Sequence, residues 1–178
     1  MTFRTTLVAA TLAMLLPSAA MAQPIDPKVQ ARIDRILKAT PLIDGHNDLA
    51  EILRENYGGK TEGLASGTDK WTPKAVMTDM ARLRAGRVGG QFWSVFIPAE
   101  VQGDRAVRNT LEEIDIVKRF IAAYPRDLEQ AYTADDVVRI HKSGKVASLI
   151  GVEGGHQMAH SFAATLPVLW MRTTSSAV

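Results

Sequence analysis

Apolar positions recur along this chain in two periods. Asp26-Pro27 opens a helix, with Asp as N-cap and Pro at the first helical position, and Val29, Ile33, Ile36 and Leu37 follow at helical spacing. Pro41 ends that helix, and Leu42-Ile43 reads as the buried end of a strand. Residues 56–72 are rich in Gly, Thr and Ser and predict a long loop. Pro73 to Arg84 predicts a short helix, with Gly86 just past its end. Gln91-Phe-Trp-Ser-Val-Phe-Ile97 is rich in aromatic and β-branched residues and predicts a strand. Asp104 caps a long helix whose Val107, Leu111, Ile114, Val117 and Ile121 are expected to face inward, with Pro125 beyond its end. Thr133 with Asp136 resembles a capping box, opening a further helix that Gly144 closes. Val146 to Val152 predicts another buried strand.

The order is therefore helix, strand, helix, strand, helix, helix, strand. Strands alternating with amphipathic helices predict βα units and a parallel sheet.

Composition narrows the setting. Arg4, the apolar run from Leu7 to Leu16 and the small-x-small segment Ala20-Met21-Ala22 match a signal peptide. Residues 1–22 are expected to be removed, leaving an exported, periplasmic or secreted chain of 156 residues from Gln23, with no lasting membrane anchor. That length suits one domain, 23–178. The chain has no cysteine, which excludes disulfides and Cys-rich zinc modules. Without residues 1–22 it carries 20 Lys+Arg against 19 Asp+Glu, so charge gives no argument for a nucleic-acid partner.

Two segments carry candidate chemistry. His46 and Asp48 lie two apart after Leu42-Ile43, and extended backbone would turn both side chains to one face. An imidazole and a carboxylate so placed suit a borderline metal such as zinc. The alternative is a buried strand-end His beside a hydrogen-bonded Asp. In Leu149-Ile-Gly-Val-Glu-Gly-Gly-His156 a second apolar strand ends in Glu153. That carboxylate either ligates metal or receives backbone N–H groups from Gly154-Gly155. His156 either orients Glu153 or packs, and His141 complements a helix C-terminus. Phe92 and Trp93 read as core, and Gly89-Gly90 as tight backbone turning before the strand. Both candidate sites fall at the C-terminal ends of strands, where (β/α)-barrel enzymes build their active sites.

Four segments resemble the membrane (renal) dipeptidase family of zinc metallopeptidases. They are Asp44-Gly-His-Asn-Asp-Leu49, Leu83-Arg-Ala-Gly-Arg-Val-Gly-Gly-Gln-Phe-Trp-Ser94, Thr110-Leu-Glu-Glu-Ile-Asp115 and Lys145-Val-Ala-Ser-Leu-Ile-Gly-Val-Glu-Gly-Gly-His156. The resemblance implies an α/β fold, the N-terminal part of a (β/α)8 TIM-like barrel. It implies Zn2+ as cofactor, two ions in the family, and dipeptides as substrates, some with a D-residue at the C-terminal side. It makes His46 and Asp48 ligands of one zinc, and Glu153 the bridge to the second and the catalytic residue. A pair of metals can activate water and polarise a scissile carbonyl.

The motif resemblance ends near residue 158. The family supplies two further His ligands later in the chain, and His141, His156 and His160 lie too early to replace them. Pro167 interrupts the expected helix. A full barrel takes about 250 residues. The expectation is a zinc-dependent dipeptidase present as an incomplete copy, through truncation or a frameshift. The competing reading is a non-catalytic exported fragment with weak or no metal binding, and a homodimer that completes the barrel is a third. Family members often have Pro-Trp where this chain has Ala50-Glu51, and Tyr where it has Phe96.

Overall fold

The structure is a computed structural model and describes residues 25–161. The expected leader, residues 1–22, and the segment from Pro167 lie outside the described residues.

Among the described residues five α-helices and four strands follow one another. Helix α1 spans Pro27–Ala39, strand β1 Leu42–Asp44, α2 Leu49–Tyr57, α3 Met80–Ala85, β2 Val88–Phe96, α4 Asp104–Ala123, β3 Leu128–Gln130, α5 Ala134–Lys142 and β4 Val146–Glu153. All strand pairs are parallel, in the order β1-β2-β4-β3. Parallel neighbours require crossovers, which the helices provide.

Local signals explain most boundaries. Asp26 caps α1 by accepting from the Lys28 N–H at 2.7 Å. Thr133 and Asp136 form a complete capping box on α5. Helix α3 begins at Met80 rather than Pro73, because the buried Asp79 is its N-cap. The Asp79 carboxylate accepts from the Arg82 backbone at 2.8 Å and from its guanidinium at 2.9 Å. Burial pushes the Asp79 carboxyl up, but these Arg82 bonds outweigh it and hold it below the usual carboxylate range.

The main core lies between the sheet and helices α2 and α4. Leu49, Leu53, Trp93, Val95, Val117 and Phe120 fill it. Trp93 meets Phe120 edge-to-face, with ring centroids 4.8 Å apart. A smaller cluster of Ala131, Val137, Ile140 and Ala147 seals α5 against β4.

Several expectations need correction. Leu42 and Ile43 are exposed, because among the described residues β1 is an edge strand paired only with β2. Strand β4 is buried through Ser148 and opens to solvent toward Val152, since β3 pairs only with residues 146–148. Leu111 is 61% exposed. The inward stripe of α4 is Ala106, Thr110, Glu113, Val117 and Phe120, so two of its buried positions are polar. Helix α1 buries none of its residues among those described, and Val29 and Ile36 face solvent. Gly89 and Gly90 lie within β2 rather than before it. A Cβ at Gly89 would sit 2.8 Å from Pro41 Cα, so glycine allows α1's exit to cross the strand. Helix α2 and strand β3 were not expected from the pattern.

Candidate metal centre

Strand β1 ends level with Gln91, and the chain then climbs beside β2 as a loop. Asn47 holds this loop. Its carbonyl accepts from the Ser94 N–H at 2.9 Å, its amide donates to Thr78 Oγ1 at 3.0 Å, and its side-chain oxygen accepts from the Leu49 N–H at 3.2 Å. His46 and Asp48 therefore share one side of the sheet's C-terminal edge through a pinned loop, not through extended alternation. Asp48 has φ −84° and ψ 27° and stands at the N-cap position of α2 without capping it.

Glu153 is the last residue of β4, in register with Phe96. Gly154 follows with φ +113°, and a Cβ there would lie 2.8 Å from the His156 ring. Glycine thus lets the chain turn sharply away and leaves the Glu153 side chain standing at the edge.

The three side chains converge. His46 Nε2 lies 2.9 Å from Asp48 Oδ1 and 3.5 Å from Glu153 Oε2. One donor atom from each falls within 4.8 Å of the other two. Ser94 donates its hydroxyl to Glu153 Oε2 at 3.0 Å. The side chains are 53, 41 and 49% exposed, so a ligand can enter from solvent. A cleft of about 220 Å³ opens there, lined by His46, Phe92, Ser94 and Glu153.

One atom tests whether a cation fits. Asp48 Oδ1 is buried and receives no hydrogen bond, although His46 Nε2 is close to it. A buried, unsatisfied carboxylate oxygen is costly. A cation among the three donors would satisfy it, and one imidazole with two carboxylates is a set that borderline metals accept. The residues fit a metal.

His156 and His141 do not join them. His156 Nε2 lies 2.9 Å from the Ile97 carbonyl, so it carries the proton and donates, packing beside the strand end rather than on the Glu153 carboxylate. His141 sits in the last turn of α5, at the opposite end of the sheet. Phe92 lines the cleft instead of filling the core, because it alternates with the buried Trp93. Ser94, Asn47 and Gln157 were not singled out from the sequence. Ser94 and Asn47 lie inside conspicuous motifs, which was the available signal.

A family description, membrane dipeptidase (peptidase family M19), matches residues 30–170. The chain belongs to the membrane dipeptidase family. Dipeptidase ataJ of Aspergillus terreus is 41% identical over 138 residues, covering 73% of this chain and 33% of that protein. Dipeptidase 3 of Rattus norvegicus is 40% identical over 138 residues, covering 78% of this chain and 27% of that protein. The chain thus spans about a third or less of the length of these curated relatives. In fold it is similar to a metallo peptidase from Rhodobacter sphaeroides solved with a phosphinate mimic of the dipeptide L-Ala-D-Ala. That likeness has a TM-score of 0.57 at 18% identity, over 75% of this chain and 43% of the other. The parallel α/β sheet is accordingly part of the barrel-type fold of this dipeptidase family.

Proposed function

We propose that this chain carries the first metal subsite of an exported, zinc-dependent dipeptidase. His46 and Asp48 would hold one zinc, and Glu153 would reach it and bridge toward a second. The observation that carries this reading is Asp48 Oδ1, buried without a donor beside the His46 and Glu153 donor atoms in a member of a dipeptidase family.

Bound zinc supplies Lewis acidity toward a scissile carbonyl. The chain's own groups do the rest of what can be derived. His46 presents Nε2 to the site, which requires its ring proton on Nδ1. Ser94 holds Glu153 Oε2 by a hydrogen bond and so fixes the carboxylate's rotation. Phe92 gives the cleft an apolar wall against which a dipeptide side chain can lie. The open mouth admits a short substrate from solvent.

A specific observation favours a second reading, a non-catalytic exported fragment with weak metal binding. Among the described residues the only group of three or more potential ligands is this one. Measuring zinc in the purified full chain separates the two. Two zinc ions retained through dialysis, with EDTA-sensitive cleavage of dipeptides, establish the enzyme. Metal lost on dialysis, with no cleavage, establishes the second reading. An intermediate result, one retained zinc without cleavage, confirms the His46, Asp48 and Glu153 subsite and rejects catalysis by this chain alone.

A further inference from the structure

Four backbone groups at the C-terminal ends of β2 and β4 make hydrogen bonds with side chains. The Gln157 amide nitrogen donates to the Val95 carbonyl at 3.1 Å and to the Glu153 carbonyl. The Phe96 N–H donates to Glu113 Oε2 at 3.1 Å. His156 donates to the Ile97 carbonyl. Thr110 and Glu113 lie three apart on the inward face of α4, and Gln157 lies in the 3-10 helix Gly155–Ser161. Thr110, Glu113 and Gln157 are all buried.

The Val95 and Glu153 carbonyls can only accept, so they take the Gln157 amide nitrogen, and Thr110 holds the amide oxygen on the other side. The Thr110 hydroxyl is 2.7 Å from Gln157 Oε1 and 2.8 Å from the Ala106 carbonyl. A hydroxyl has one hydrogen, and among the described residues the buried Gln157 oxygen has no other donor, so the hydrogen goes to Gln157. Both amide hydrogens of Gln157 are then directed at Val95 and Glu153. The carbonyl of Glu153 is thereby tied to β2, across from its own strand.

This tie falls where β4 needs it. Beyond Ser148, β4 has a paired neighbour on one side only, among the described residues. The backbone of Glu153 would otherwise rest on the end of one ladder. We infer that Gln157, held by Thr110, is a positioning residue for the metal centre: it fixes the backbone from which Glu153 reaches toward His46 and Asp48. This rests on the metal reading given above. It also gives a role to Thr110-Leu-Glu-Glu-Ile-Asp115, a motif with no residue in the centre. Groups that orient ligands commonly change metal affinity by about 10–100-fold when removed.

The test is a Co2+ titration of the full chain, following the visible d–d band, with Thr110→Val and Thr110→Ser compared in parallel. T110V keeps the shape and loses the donor, while T110S keeps the donor. The expected result is about tenfold weaker Co2+ binding and an altered band in T110V, with T110S close to the parent. T110V matching the parent in both affinity and band overturns the inference and leaves the metal reading intact. A parent chain that binds no Co2+ overturns the metal reading instead. Gln157→Met, which removes the amide, is read the same way, so the test survives a T110V chain that fails to fold. A uniform loss in T110V and T110S alike, with an unaltered band, assigns Thr110 a packing role only and also overturns the inference.

Discussion

At the C-terminal ends of β1, β2 and β4, His46, Asp48 and Glu153 gather around a small cleft, and Asp48 Oδ1 has no donor. At the other end of the same sheet lies a cleft of about 750 Å³, lined by Lys38, Arg84, Arg87, Arg126, Lys142 and Lys145 together with Asp34 and Asp127. It is more than three times larger, yet its acids are already matched. Arg84 pairs with Asp127, and Arg87 with Asp34 at 2.6 Å. Helices α1, α3 and α5 all end there, and their last-turn cations Lys38, Arg84 and Lys142 complement the negative ends of the helix dipoles. His141 Nε2 is buried there without a partner, but no unpaired carboxylate stands beside it. Size does not mark the site. What marks it is a convergence of three potential ligand side chains around one buried carboxylate oxygen, Asp48 Oδ1, that has no hydrogen-bond donor.

The sharpest break between the two ends comes from equivalent changes at each. Asp48→Asn keeps the volume and removes the charge of the proposed ligand. It should weaken Zn2+ binding beyond the 10–100-fold typical of residues that merely orient ligands, which is more than about 2.7 kcal/mol. Asp34→Asn at the basic end should leave Zn2+ binding unchanged. Calorimetric titration of both variants checks this. Equal losses in the two would mean that the fold as a whole, and not the three-residue cluster, controls the metal.

Glu113 gives the next effect. It is fully buried on α4, and burial pushes its carboxyl up to about 8 despite the Arg54 guanidinium 3.6 Å away. Glu51 and Glu55 push in the same direction as burial, while the Phe96 N–H opposes it. Glu112 faces the same guanidinium at 3.2 Å. In the unfolded chain Glu113 ionises near the model-peptide value of about 4.3. Between there and about pH 8 the folded state holds the extra proton, so stability falls as pH rises. The slope contributed by this one group is at most about 1.4 kcal/mol per pH unit. Glu113→Gln mimics the protonated form and should flatten the profile. Denaturant unfolding from pH 5 to 9 is the measurement, and an unchanged slope in E113Q would show that Glu113 is already ionised in the folded protein.

The same contrast shows why some of the molecule was legible in its sequence and some was not. The convergence of His46, Asp48 and Glu153 was legible because each lies at or just past the C-terminal end of a strand and is a metal-binding type. The βα alternation was legible because α4 and β2 carry long periodic patterns. The inward face of α4 was misjudged at Leu111, because a stripe counted on apolar residues alone skips Thr110 and Glu113. Those two are buried by hydrogen bonds to groups far along the chain. Thr110 meets Gln157, 47 residues later, and Glu113 meets the end of β2. Strand β3 has three residues, too few for any period, and β1 is exposed because burial depends on neighbours that local pattern does not encode.

The smallest effect belongs to the basic end and concerns Arg87. It is the one non-glycine residue with positive φ among those described, at 54°, and it pairs with Asp34 at 2.6 Å. Both side chains are about half exposed, so the ion pair contributes at most about 1 kcal/mol and fades in salt. The left-handed backbone costs an L-residue on the order of 1 kcal/mol, which glycine avoids. Arg87→Ala loses the pair and keeps the strain, so it should be less stable than the parent by up to about 1 kcal/mol. Arg87→Gly loses the same pair and relieves the strain, so it should recover about 1 kcal/mol relative to R87A. Neither should alter Zn2+ affinity. Thermal unfolding at low and high salt separates the terms, since raising the salt should shrink the parent's advantage over R87A and leave the R87G-to-R87A gap in place. If that gap also closed in salt, the positive φ would carry no strain, and the basic end would be held by charge alone.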